Sequence, residues 1–292
     1  MKSAITNKLA IGCAQFGLPY GIANKVGQVD PVDVAKILDY AKGVNISTLD
    51  TAISYGKSES VLGDVGVNEW SVISKLPPLP RASIDIRSWI INEVHASLNR
   101  LNILSLDGLL LHNPQDLLSE RGHIIVEALD FLRSAGVVNR VGVSIYDPQD
   151  LQDYLNIMAV EIVQCPFNVL DQRIVTSGWA EKLNKKNVEV HIRSIFLQGL
   201  LLVENSQRSL YFNKWQTTWD RWHLMLQENN MSPIEGCLNG VIFNDFFHKI
   251  IIGINDLSQI MEIVDCCNFL DARVTEDISV NDLNLLHPSN WK

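Results

Sequence analysis

Asp50, Tyr55, Lys75 and His112 are the residues whose types and spacing could do chemistry. Asp50 and Tyr55 lie in Leu49-Asp50-Thr51-Ala52-Ile53-Ser54-Tyr55-Gly56, Lys75 closes Ser71-Val72-Ile73-Ser74-Lys75, and His112 closes Gly108-Leu109-Leu110-Leu111-His112. In each, an apolar, strand-like run ends on an ionisable or hydroxylic side chain, which is how a barrel of parallel strands presents catalytic groups at its C-terminal rim. Taken singly, each has a plainer reading: a tyrosine before glycine packs a turn, a lysine at a strand end is solvated, a lone histidine is a satisfied core residue. Together they suit proton delivery to an oxygen that gains negative charge. A phenol with an ordinary pKa of about 10 is a weak acid near neutrality. A neighbouring ammonium favours its phenolate form, a carboxylate holds that ammonium in place, and an imidazole hydrogen-bonds the oxygen on which charge develops.

The order and spacing Asp50-x-x-x-x-Tyr55-Gly56-x-x-Glu59-x-x-Leu62-Gly63, with Lys75 and His112 ending the next two strands, resemble the catalytic tetrad of the aldo-keto reductases. Further matches run along nearly the whole chain: Gly12-Cys13-Ala14-Gln15-Phe16-Gly17, Gly142-Val143-Ser144, Gln164-Cys165-Pro166-Phe167-Asn168 and Arg193-Ser194-Ile195-Phe196-Leu197-Gln198-Gly199-Leu200. The resemblance implies an NAD(P)H-dependent oxidoreductase that reduces an aldehyde, ketone or sugar-like carbonyl to an alcohol by hydride transfer, with Tyr55 as proton donor, Lys75 and Asp50 tuning it and His112 orienting the substrate. It also implies a cofactor, NADPH or NADH, bordered by Gly12 and Cys13, with Ser144 and Gln164 on the nicotinamide carboxamide. Arg193 and Ser194 then lie on the adjoining rim, the backbone from Leu197 to Gly199 lies against the pyrophosphate, and Gly253, Asp256 and Gln259 lie at the eighth strand. Such a family holds the dinucleotide extended across a barrel, so the missing Gly-x-Gly-x-x-Gly does not count against it.

Departures from the family pattern sharpen the expectation. Ile145 stands where an asparagine often contacts the carboxamide, and Arg193 where an aromatic ring commonly stacks on the nicotinamide; a guanidinium plane can stack, but its charge disfavours the cationic oxidised ring. Gly253, Asp256, Gln259 and Ile263 replace a lysine, a hydroxyl residue, an arginine and an asparagine. Losing both cations and gaining a carboxylate weakens the grip on a 2′-phosphate, unless Lys249 or Arg273 supplies charge from elsewhere. Ala14, Pro77 and Asn113 stand near positions where relatives acting on hydrophobic carbonyls carry tryptophans, which implies a more polar pocket. The segment from Ala14 to Asn24 and that from Arg193 to Leu201 resemble bacterial members associated with sugar and surface-polysaccharide biosynthesis.

Eight strand-then-helix units position these residues and predict an α/β fold, a single-domain (β/α)8 TIM barrel spanning residues 1–292. The strands are expected at Lys8 to Cys13, Ile46 to Asp50, Trp70 to Lys75, Leu106 to His112, Val138 to Val143, Ile162 to Cys165, Val188 to Ser194 and Lys249 to Gly253. Asp30-Pro31 and Asp147-Pro148 each pair an N-cap with a proline at the first helical position. Ile84 to Leu101 and Ile124 to Leu132 carry apolar residues at helical spacing. Between strands seven and eight lies an extended segment, at about 203–235, with helices expected at Lys214 to Glu228 and Pro233 to Phe247; a C-terminal tail follows at about 270–292. Extra length at a strand's C-terminal end often covers a substrate. Trp215, Trp219 and Trp222 at near-helical spacing could face such a substrate, but burial preference favours packing.

Composition narrows the partners. A chain of 292 residues with 47% hydrophobic side chains can bury a large core. A formal net charge of -9 with no compact basic patch argues against nucleic acid or an anionic membrane. No run of about 18 apolar residues appears, and Met1-Lys-Ser-Ala-Ile-Thr-Asn-Lys8 lacks a signal peptide's apolar core, so a soluble, cytoplasmic protein is expected. Five cysteines, Cys266-Cys267 among them, lack the spacing of a zinc site or disulfide framework and read as free thiols. Seven scattered histidines give no metal-ligand spacing, so no metal is expected. The expected partner is a small-molecule carbonyl, a sugar derivative among the options, and the sequence leaves the oligomeric state open. Two other readings compete: a catalytically weak cofactor-sensing or scaffold protein on the same barrel, and a lyase using Lys75 as a Schiff-base nucleophile.

Overall fold

Apolar runs with both faces covered pair best as buried parallel strands, and eight of them close on themselves here. In the computed structural model, which describes residues 5–22, 24, 26–82, 85–270 and 277–291, the strands are β1 (Leu9–Gly12), β2 (Thr48–Asp50), β3 (Ser71–Leu76), β4 (Leu106–Leu111), β5 (Val138–Ser144), β6 (Ile162–Pro166), β7 (Glu189–Arg193) and β8 (Lys249–Gly253). They form a closed barrel in sequence order, every neighbouring pair parallel and β8 returning to β1. Each of the eight expected strands is present, with ends shifted by no more than two residues. The chain is therefore a (β/α)8 TIM barrel.

The register sets the rim. Gly12 lies opposite both Asp50 and Gly253, Ser144 opposite Gln164, and Pro166 opposite Arg193. Strand ends far apart in sequence thereby share one mouth. Inside the barrel Ile73, Leu110 and Ile162 pack together, and the main core lies between strands and helices.

The coating helices begin where cap chemistry places them. In α1 (Pro31–Gly43) the Asp30 side chain accepts from the Val32 amide ahead of the N-terminal proline, as expected. Helix α2 (Ser58–Val65) follows β2. Helix α3 (Ile86–Leu101) starts later than expected because Asp85 caps it; Ile84 lies outside the described residues. Helix α4 (Gly122–Ser134) exceeds the expected segment at both ends. Asp147 accepts from the Gln149 amide, as its cap role requires, but opens a 3-10 turn that leads into α5 (Leu151–Ile157). Short helices α6 (Arg173–Thr176) and α7 (Trp179–Lys185) follow β6.

After β7 come α8 (Gln216–Glu228), which a 3-10 turn over Leu210–Trp215 precedes, and α9 (Pro233–Ile242), opened by a Ser232/Glu235 capping box. Helix α9 stops short of the expected Phe247: Asn244 accepts from the Phe246 amide and turns the chain, so Phe247 packs on Phe167. Helix α10 (Leu257–Phe269) follows β8, and α11 (Leu283–Leu286) lies in the tail. Residues 1–4, residues 271–276 of the tail, Arg273 included, and residue 292 lie outside the described residues.

The three tryptophans pack rather than face a ligand. Trp219 and Trp222 are fully buried and donate to the carbonyls of Phe212 and Leu201, while Trp215 donates to Asp282 of the tail. They belong to a second apolar cluster that joins Leu170, Leu197 and Leu200 of the rim loops to Leu285 and Leu286. Satisfying each indole N–H inside that cluster removes the penalty of burying it.

Candidate active site

Asp50, Tyr55, Lys75 and His112 converge at the C-terminal mouth. Lys75 is completely buried and donates to Asp50 Oδ1 at 2.6 Å and to the Thr51 carbonyl at 2.8 Å. Its Nζ lies 5.1 Å from the centroid of the Tyr55 ring, and that ring meets His112 edge-on at 5.8 Å. Burial works against the Lys75 ammonium, but Asp50 and Tyr55 outweigh it and hold the Lys75 pKa above its ordinary value. A lysine kept protonated in this way is unsuited to Schiff-base attack, which needs the free amine. His112 is pushed the other way, down to about 4, first by desolvation and then by the charges of Lys75 and Arg193. It is neutral near pH 7. Its Nδ1 pairs with Ser54 Oγ at 3.1 Å; with the hydroxyl donating, the proton sits on Nε2 and can be donated into the mouth. Among the described residues neither the Tyr55 hydroxyl nor His112 Nε2 has a hydrogen-bond partner.

Backbone geometry locks the Tyr55 turn. Gly56 has φ 56° and sits so close to Gly17 that a Cβ on it would come within 2.5 Å of the Gly17 carbonyl, while a Cβ on Gly17 would strike the Tyr55 carbonyl at 1.9 Å. Only two glycines allow the β1 loop and the tyrosine turn to approach this closely. Ser58 then ties the turn down, donating to the Cys13 carbonyl at 2.8 Å and lying 3.0 Å from the Thr51 hydroxyl. Glu59 occupies the first turn of α2, as a helix-dipole role would place it, yet it is buried and accepts from Ser74 on β3, Ser97 on α3 and Arg100. It fastens the strand that carries Lys75.

Gln164 meets the tetrad directly, and Ser144 meets it through Gln164. Gln164 Nε2 donates to Asp50 Oδ2 at 2.6 Å, and Ser144 Oγ donates to Gln164 Oε1 at 3.3 Å. Asp50 therefore accepts from Lys75 with one oxygen and from Gln164 with the other, an anchor across the barrel with no signal in local sequence. Arg193 lies beyond, donating to the Ile145 carbonyl at 3.1 Å and to Ser194 Oγ at 3.4 Å. The Ser194 carbonyl accepts from Asn168, and Ser194, Leu197 and Gln198 all have positive φ, which bends the chain into a tight loop ending at Gly199. The amides of Leu197 and Gly199 donate within that loop.

Cys13 turns inward: its Sγ donates to the Ile11 carbonyl, its amide donates to the Asp50 backbone carbonyl, and desolvation pushes the thiol pKa well up. It shapes the rim without presenting a thiol. Gly12 and Gly253 are register partners, and the Gln15 side chain lies where a Cβ on Gly253 would go. Asp256 caps α10, accepting from the Gln259 amide and Ser258, while Gln259 accepts from the Asn255 amide. Both are thus committed to holding the helix start, and no cation pairs with Asp256 among the described residues. Asn255 Oδ1, at the same rim, is buried without a partner. Tyr146 and His287, unremarked in the sequence, stack on each other at 4.0 Å with Arg193 4.3 Å from the Tyr146 ring.

A parallel barrel whose mouth joins a phenol, a buried ammonium–carboxylate pair and a neutral imidazole defines a class of barrel suited to proton delivery onto a carbonyl oxygen. Comparison with known proteins agrees with that class: the aldo/keto reductase family model matches residues 8–279. The chain belongs to the aldo/keto reductase family. It is 24% identical over 263 residues to an uncharacterized oxidoreductase from Bacillus subtilis, covering 82% of this chain and 83% of that protein. Its fold is similar to that of an aldo-keto reductase from Bacillus halodurans solved in a holo form, with TM-score 0.71, 19% identity, and 92% and 88% of the two chains covered. It is also similar to glycerol dehydrogenase from Gluconobacter oxydans, with TM-score 0.70, 19% identity, and 93% and 88% covered. Among the described residues no helix is long and apolar enough to cross a membrane.

Proposed function

We propose that this protein is an NAD(P)H-dependent reductase that converts an aldehyde, ketone or sugar-like carbonyl into an alcohol. The observation that carries the reading is the Lys75–Asp50 pair at 2.6 Å, buried beneath the Tyr55 ring. A reduced nicotinamide supplies the hydride when bound. His112 orients the carbonyl by donating from Nε2 to its oxygen, and its neutrality suits that role because the proton stays on the nitrogen. As the carbonyl carbon accepts hydride, Tyr55 gives its hydroxyl proton to the oxygen, and the phenolate left behind is stabilised by the Lys75 charge until solvent reprotonates it. Asp50, held by Gln164, keeps Lys75 charged and in place.

The residues at the rim fit a dinucleotide in kind. Ser144 and Gln164 bring a hydroxyl and an amide to the mouth, and the orphaned Asn255 Oδ1 leaves an acceptor beside the exposed Gly253. We read Arg193 and Ser194 as bordering the bound cofactor and the Leu197–Gly199 loop as lying along its pyrophosphate. With Asp256 and Gln259 occupied by the cap of α10, a 2′-phosphate would meet a carboxylate there, and we infer a weaker preference for NADPH than a cationic rim gives, with NADH accepted. Ala14, Pro77 and Asn113 support a polar pocket for a sugar-like substrate.

The test uses each cofactor deuterated at C4 on either face of the ring, offered with a panel of aldehydes and aldoses. Deuterium appearing on the former carbonyl carbon of the product from one face supports the reading. Cofactor bound tightly with no transfer to any substrate would identify a sensing or scaffold protein instead.

A further inference from the structure

His112 reaches the mouth with one polar partner. Its Nδ1 lies 3.1 Å from Ser54 Oγ, and among the described residues no carboxylate or carbonyl pairs with the ring. A neutral imidazole has one N–H and one bare nitrogen, and the bond made by the first nitrogen fixes what the second can do. With the Ser54 hydroxyl donating, Nδ1 is bare and Nε2 carries the proton. With the hydroxyl accepting, Nε2 would turn a lone pair toward the mouth and repel a carbonyl oxygen. Ring rotation matters as much: the torsion that turns an imidazole about its Cβ bond is broad, and a half-turn puts carbon where nitrogen is needed. The Tyr55 ring meets His112 edge-on at 5.8 Å, a contact that does not tell nitrogen from carbon.

The Ser54 hydroxyl has no other partner among the described residues, so Nδ1 is the protein acceptor open to its proton. A carboxylate in its place would demand the proton on Nδ1 and favour the imidazolium, whereas a hydroxyl orients the ring without adding charge. Ser54 also lies in the segment that joins Asp50 to Tyr55, so the turn that delivers the phenol aims the imidazole too. The Tyr55 amide donates to the Ala52 carbonyl and the Ser58 amide to the Tyr55 carbonyl, each at 3.0 Å, which fixes the backbone around Ser54. Its side chain is exposed, so a change there leaves the core intact. We propose that Ser54 is a positioning residue for carbonyl reduction: its hydroxyl donates to His112 Nδ1 and holds the ring with the Nε2 proton aimed at the substrate oxygen. The proposal rests on the reductase reading above and names the group that makes His112 a donor.

The test measures kcat/KM for 4-nitrobenzaldehyde and Kd for NADPH and NADH in wild type, Ser54→Ala, Ser54→Thr, His112→Gln and the Ser54→Ala/His112→Gln double variant. Ser54→Ala is expected to lower kcat/KM about tenfold with cofactor Kd within about threefold of wild type, and Ser54→Thr, which keeps the hydroxyl, to stay within about threefold. In the His112→Gln background Ser54→Ala should cost less than about twofold, because the ring it acts through is gone. Wild-type rates in Ser54→Ala, an equal loss in Ser54→Thr, or a full tenfold loss on top of His112→Gln each overturns the proposal. If wild type reduces the aldehyde with neither cofactor, the reductase reading fails, and magnetic resonance then decides the role of Ser54 without turnover. Proton–nitrogen correlation spectra of protein labelled at its imidazole nitrogens, with the His112 signals assigned by their loss in His112→Gln, show which nitrogen carries the proton. A proton on Nε2, with an Nδ1 signal that moves in Ser54→Ala but not in Ser54→Thr, upholds the donated bond. A proton on Nδ1, or signals indifferent to both substitutions, rejects it.

Discussion

The two ends of the barrel handle charge in opposite ways. At the base, where strands begin, Arg140 on β5 donates to Asp107 on β4 at 2.6 Å and to Glu189 on β7 at 2.8 Å. Ser71 donates to the same Asp107, and His191 Nε2 lies 2.9 Å from Glu189. Each member answers another, so the ring knits strand starts together and leaves nothing to offer a ligand. At the mouth the Lys75–Asp50–Gln164–Ser144 chain is equally well paired, but it lies beside groups that are not: the Tyr55 hydroxyl and His112 Nε2. Paired charge at both ends contributes stability. The Tyr55 hydroxyl and His112 Nε2 at the mouth offer hydrogen bonds that a substrate would complete.

The largest difference between the ends should follow from removing the central cation of each. Lys75→Met leaves Asp50 buried with only Gln164 to answer it, so it should destabilise the fold by about 3–5 kcal/mol and reduce kcat/KM at least about 1,000-fold. Urea unfolding and steady-state rates measure both. Arg140→Met strips Asp107 and Glu189 of their shared partner, but these side chains are about one quarter to one third exposed. A loss of about 1–3 kcal/mol with kcat unchanged is therefore expected at the base. A large fall in kcat from Arg140→Met would break the distinction.

The smallest effect separates the ends by pH. His112 is depressed to about 4 from an ordinary 6.5, chiefly by desolvation, so between those values the unfolded chain takes up a proton that the folded mouth refuses. That contribution is complete above pH 6.5 and is lost as pH falls toward 4. Glu189 is depressed to about 2 from 4.5, first by its His191 hydrogen bond and then by Arg140 against the opposing effect of burial. Its contribution holds above pH 4.5 and fades toward 2. Denaturant midpoints across pH should therefore lose their upper dependence in His112→Gln and their lower one in Glu189→Gln. Identical profiles for the two variants would show that the ends do not titrate separately.

The same contrast explains what could be read in the sequence. Strands were legible because each is a short apolar run buried on both faces, and the tetrad because its members end such runs. Helix limits were less so: Asp85 and Asn244 decide where α3 begins and α9 ends through side-chain hydrogen bonds that periodicity ignores. By sequence Gln164 suits a cofactor, yet its contact with Asp50 spans the barrel and follows only from closure. Ser54, Ser58 and the buried network of Glu59 support the tyrosine turn from within one short motif, where a polar residue beside a catalytic one gives no hint of its partner. His287 joins the mouth from the tail with no local signal at all. Arg193 is visible in the sequence as a departure from a family pattern, while its contacts with the Ile145 carbonyl and the Tyr146 ring follow only from the neighbouring loop.

Tyr55→Phe tests the central claim most directly, because it removes one hydroxyl and almost no volume. With cofactor Kd measured by titration and turnover measured at saturating cofactor and substrate, the account predicts Kd within about threefold of wild type and kcat reduced at least about 1,000-fold, roughly 4 kcal/mol of barrier. Turnover within about tenfold of wild type, about 1.4 kcal/mol, would contradict it and remove Tyr55 as the proton donor.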